Sequence, residues 1–106
     1  MSIIFYDHLV DKKDILIIVD DSSAPDNQKA KIKQLIDDVL HQGIIEFILQ
    51  KLHPHSHSAF LTQVHHAPYD PEIIQYLKEK IDHDIEENIQ KETERIIEKI
   101  KKDLEI

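Results

Sequence analysis

Residues 23–52, SAPDNQKAKIKQLIDDVLHQGIIEFILQKL, decide the fold. Ile32, Leu35, Ile36, Val39 and Leu40 recur at the spacing of one helical face, and the IIEFIL run after them is apolar on nearly every side, so other elements must surround it. The stretch therefore reads as a helix at the centre of the core. Ser23, with Pro25 and Asp26 behind it, supplies a start: a hydroxyl and a carboxylate satisfy amides without an intrahelical acceptor, and proline gives up a donor that has no partner there. Gly43, the only glycine of the chain, falls in the middle of the apolar stripe. It either lets a neighbouring helix come close or ends one helix before another begins at Ile44. Helix-compatible residues on both sides, with no proline following, favour one continuous helix.

Working outward towards the C-terminus, His53-Pro54 stops this helix, because proline disfavours helical geometry in the residue before it. A short helix over 57–66 follows, with Ser56 or Ser58 to cap it and Phe60, Leu61 and Val64 as its apolar face, and Ala67-Pro68 ends it. Asp70-Pro71-Glu72 combines a capping side chain, a proline and a first-turn acid, and so opens a helix over 71–81. From there to Ile106 there is neither glycine nor proline, and Ile85, Ile89, Ile96, Ile97, Ile100 and Leu104 continue an apolar stripe. Asp82-His83-Asp84 interrupts it, which predicts a break and then a long last helix over 84–104. Glu87 with Lys91 and Glu98 with Lys102 are favourable pairs on that helix.

The first twenty residues, MSIIFYDHLVDKKDILIIVD, leave two readings open. SIIFY and ILIIV flank a polar DKKD as the strands of a hairpin would, yet Phe5, Leu9, Leu16 and Val19 also lie near one face of a helix. ILIIVDDS is like the opening of a response-regulator receiver domain, where Asp20 and Asp21 would bind magnesium. The remaining strands, phosphoacceptor aspartate and lysine of a receiver are missing downstream, and one glycine is too few for the turns of a doubly wound sheet. Asp20 and Asp21 are read as the polar end of the first element.

A chain of 106 residues makes one small domain, taken as 1–106. With 41% hydrophobic residues and no cysteine to staple the fold, its thin core leaves apolar surface uncovered, which favours self-association. No run approaches the length of a membrane span, and the N-terminus lacks a secretion signal, so a soluble cytoplasmic protein is expected. The formal charge of −8 and a single arginine, Arg95, speak against nucleic acid as a partner. Lys99, Lys101 and Lys102 are interleaved with Glu98, Asp103 and Glu105 and read as a solvated helix end.

The one constellation with chemistry in it is histidine: His53, His55 and His57 alternate, and His65 and His66 follow. Neutral imidazole ligates zinc, copper or nickel, and a tetrahedral site needs three or four converging ligands. Alternation across Pro54 works against convergence, and adjacent His65 and His66 point about 100° apart on a helix, unlike the two histidines of HExxH. The five are read as solvated, with a histidine-based metal binder as the alternative function. Ser22, Ser23, Ser56 and Ser58 have turn or capping roles, no phosphate loop or nucleophile elbow is present, and no catalytic residue or cofactor is assigned. An enzyme is not expected.

FYDHLV near the start, LIDDVLHQGIIEFILQKL, FLTQVHHAPYDPEIIQYLKEKI and DIEENI together resemble small uncharacterised helical proteins of candidate-phyla bacteria, a domain family of unknown function. The resemblance covers most of residues 3 to 105. It implies a helix over 3–20 and supplies no activity. Those proteins carry acids where this chain has His55 and His57, which speaks against a metal site common to the family. The expectation is an all-α bundle of five helices, 3–20, 24–52, 57–66, 71–81 and 84–104, acting as a protein-interaction module or accessory subunit through self-association or a protein partner.

Overall fold

A computed structural model of the chain describes residues 4–104. It contains five α-helices and, among the described residues, no strand: α1 Lys13–Asp21, α2 Asp26–Lys51, α3 His57–His66, α4 Glu72–Lys80 and α5 Ile85–Leu104. Short 3₁₀ turns at Asp7–Leu9 and Pro54–Ser56 join them. No helix among the described residues is long and apolar enough to cross a membrane.

The first segment departs from both readings of it. Its expected first residue, Ile3, lies outside the described residues, and helix begins only at Lys13. The cause is docking. The Phe5 amide donates to the Pro68 carbonyl at 2.7 Å, and the Phe5 ring meets Tyr6 and Phe60 edge-on at centroid distances of 5.1 and 6.2 Å. Phe5 and Tyr6 are both buried by this docking. Asp11 then accepts a hydrogen bond from the Lys13 amide (3.0 Å) and lets α1 begin.

The start of α2 also differs from expectation. Pro25 precedes Asp26 in an extended conformation without a side-chain cap bond, and its carbonyl accepts from the amides of Gln28 and Lys29 at 3.0 and 2.9 Å. Ser23 caps nothing. Its neighbour Ser22 closes α1 instead, donating to the Val19 carbonyl at 2.7 Å.

Downstream, local chemistry sets the ends as read. Asp70 accepts from the Glu72 amide (2.9 Å) and Asp82 from the Asp84 amide (3.1 Å), so α4 and α5 start where the acids stand. On α5, Glu87 pairs with Lys91 at 3.3 Å, but Glu98 pairs with Lys101 rather than Lys102. In α3, Phe60 is fully buried and Val64 half-buried, whereas Leu61, expected on the same face, is 42% exposed. Ser56 precedes α3 without a side-chain cap bond and Ser58 lies within it.

α2 is the spine, about 39 Å long at 1.5 Å per residue. Gly43 leaves it unbroken and serves close approach: a Cβ there would lie 2.7 Å from Ile96 Cδ1 of α5. The N-terminal half of α2 shares a core with α1 and the C-terminal half of α5, centred on Ile15, Ile36, Leu40 and Ile97. Its C-terminal half shares another with α3, α4 and the start of α5, centred on Ile44, Ile48, Phe60, Leu77 and Ile89. α2 and α5 therefore run antiparallel. Thr93, 1% exposed, donates to the Gln90 carbonyl (2.7 Å) and the Leu9 carbonyl (3.3 Å), so a buried hydroxyl between the cores is satisfied.

Glu86 pins three elements, accepting from His8 Nε2 at 2.8 Å and lying 2.7 Å from Lys78 Nζ. Lys78 first, and then His8, hold its carboxyl below the ordinary glutamate range, against a smaller opposing effect of burial. A carboxylate with a lowered folded pKa contributes stability above its unfolded value that is lost as pH falls through the folded one. Glu86 is a third exposed, so the contribution is screened to about 0.2–1 kcal/mol. Denaturant titrations of wild type and Glu86→Gln should differ by about that amount at pH 7, and the gap should close as pH falls below about 4.5. A gap constant down to pH 2.5 would show that the ion pairs contribute nothing.

Candidate functional site

The five candidate metal histidines do not form a centre. His53 Nδ1 accepts from the backbone amide of His55 (3.2 Å), their rings lie tilted at 40° with centroids 4.5 Å apart, and His57 Nε2 bonds the Leu52 carbonyl at 2.8 Å. Two of the three alternating imidazoles thus have a nitrogen committed to the backbone turn that ends α2. His65 and His66 sit at the end of α3, exposed and edge-on at 5.9 Å. Among the described residues, no three histidine or carboxylate side chains converge as a metal would require.

A sixth imidazole, which sequence reasoning passed over, has a structural partner. Tyr6 OH and His41 Nδ1 lie 2.7 Å apart, beside a Lys12–Asp37 ion pair of 2.6 Å. Burial pushes the Tyr6 phenol well above its ordinary pKa, with the Asp37 and Asp7 carboxylates adding to the effect. The phenol therefore stays protonated, and its hydrogen bond with His41 clamps the N-terminal segment to α2. The arrangement has the character of a clasp, not of a proton-transfer site.

A concave feature lies elsewhere, along the α2–α5 seam on the side away from α1. It is an open groove of about 580 Å³. Ile36, Gly43, Ile96 and Ile100 form its floor. One wall is α2, where Leu35 and Val39 stand 61% and 48% exposed; the other is α5, where Glu92, Arg95, Lys99 and Asp103 make a charged rim. Arg95 is tied to Glu92 on its own helix through two hydrogen bonds.

Comparison with family models, with curated proteins and with solved structures returned no match. The groove is therefore read from its own chemistry.

That chemistry corrects the sequence reading of α2. Leu35 and Val39 were expected in the core with Ile36 and Leu40, but only the latter two are buried. Along α2 the residues Ile36, Leu40, Ile44 and Ile48, spaced by four, face the core with Ile32 packed against it, while Leu35, Val39 and Phe47, spaced by four and eight, form a neighbouring apolar stripe of which only Phe47 also reaches the core. Leu35 and Val39 are open to solvent beside the groove floor.

Proposed function

We propose that this chain is a non-catalytic interaction module whose α2–α5 groove seats an apolar surface of a protein partner. The supporting observation is the pair Leu35 and Val39, large aliphatic side chains held in solvent on a rigid helix beside an apolar floor. A wall of alternating charge on α5 suits a polar rim around an apolar centre, the usual anatomy of a protein interface. The acid excess of the chain disfavours polyanionic partners, since they would be repelled at long range.

A photo-crosslinking side chain introduced at Leu35 should yield a covalent protein adduct in cells, whereas one at exposed Gln75 of α4 should not. The Leu35 adduct should vanish when Val39→Asp is added, with the circular dichroism spectrum unchanged. Both substitutions touch exposed positions and should leave unfolding free energy within about 0.5 kcal/mol of wild type. Equal labelling from both sites, or an adduct indifferent to Val39→Asp, would remove the groove as the interaction surface.

A further inference from the structure

We infer that the occupant of the groove is a second copy of this chain, related by a two-fold axis through Val39. This rests on the reading of the groove as an interaction surface and names its partner. The protomer is 46 Å long and 24 by 21 Å across, with a radius of gyration of 15.1 Å against about 13 Å for a compact chain of this length. At the end built from α1, α2 and α5, α1 covers one side of the α2–α5 pair, and among the described residues nothing covers the other. Two such pairs face to face complete a four-helix layer.

The register follows from the lining. One turn back from Gly43 on α2 is Val39, and one turn on from Ile96 on α5 is Ile100, so Val39 and Ile100 stand level across the groove. With antiparallel α2 helices crossing at Val39, Leu35 of one copy falls over Gly43 of the other, the one lining position without a side chain. The charges then pair. Asp103 of one copy arrives level with Ile97 of the other, between Arg95 and Lys99, and Glu46 arrives level with Ile32, beside Lys31. Among the described residues, Asp103, Lys99, Glu46 and Lys31 have no ion-pair partner within the protomer. A face about 27 Å long and two helices wide buries on the order of 1,000 Å² over both copies, the lower limit of a specific association. A face of that size suits a reversible dimer.

Sedimentation equilibrium of the wild-type chain from 5 to 500 µM should show a monomer–dimer equilibrium, and Leu35→Asp should abolish it. Lys31→Glu and Glu46→Lys should each weaken the dimer by about tenfold, and the double reversal should recover it to within about threefold. The chain has no cysteine, so Val39→Cys gives a single thiol on the axis. A short bis-maleimide should join it into a covalent dimer, while Gln75→Cys should stay monomeric. A wild-type chain that is monomeric at 500 µM overturns the self-pairing, as does a dimer indifferent to Leu35→Asp or a double reversal no better than the single ones. If the chain is monomeric while crosslinking from Leu35 still gives a Val39-dependent adduct of a different protein, the self-pairing fails and the interaction surface stands. Absence of any adduct removes both.

Discussion

Phe60→Ala should lower the free energy of unfolding by about 3–5 kcal/mol, while Leu61→Ala, one residue along the same helix, should change it by less than about 0.5 kcal/mol. Phe60 is completely buried where α3, α4, the C-terminal half of α2 and the N-terminal segment meet, and its ring supports Phe5 edge-on. Truncation removes the apolar area of a benzyl group and leaves a void that rigid helices on several sides cannot close. It also loosens the Phe5–Tyr6 anchor, so the loss should include the Tyr6–His41 hydrogen bond. Urea unfolding followed by circular dichroism measures both variants. Similar losses for the two would mean that α3 rotates to bury Leu61, and with it the face on which the N-terminal segment docks.

The contrast between these neighbours shows what the sequence carried and what it did not. The all-α bundle and four of its five helices were legible, because capping acids and prolines act within a few residues: Asp70-Pro71, Asp82 and Pro54 fix ends regardless of the rest of the molecule. The N-terminal segment was not legible. Its conformation is set by Pro68, His41 and Phe60, contacts too distant along the chain for any periodicity to register. The groove was half legible. Leu35 and Val39 were visible as an apolar stripe, but whether that stripe meets the core depends on where α1 and α5 settle, and both settle on its neighbour, the stripe of Ile36 and Leu40. The places of the histidines were legible only in part: their alternation was visible, but the turn at Pro54 that ties His53 and His57 to backbone groups was not.

Gly43→Leu should destabilise the fold by about 1–3 kcal/mol, while Gly43→Ala should fall within about 1 kcal/mol of wild type, because two opposed effects nearly cancel. Gly43 has ordinary negative backbone torsions, so its value lies in space and not in conformational freedom. Replacing glycine by alanine inside a helix gains about 1 kcal/mol of propensity. Against this, the new methyl meets Ile96 Cδ1 at 2.7 Å. That atom is the tip of a flexible side chain, and moving it off its rotamer costs about 0.5–1.5 kcal/mol. Leucine adds three more carbons beside Ile96, so Ile96 must move further and part of the new side chain stands in the groove. A double-mutant cycle isolates the cause: Ile96→Val removes Cδ1, and in that background Gly43→Ala should become more favourable by about 0.5–1.5 kcal/mol than in wild type. Additivity of the two substitutions would mean that Ile96 does not set the α2–α5 spacing. In the proposed dimer Gly43 lies under Leu35 of the other copy, so Gly43→Leu should weaken that dimer even at temperatures where the chain stays folded, a loss that Gly43→Ala should largely avoid.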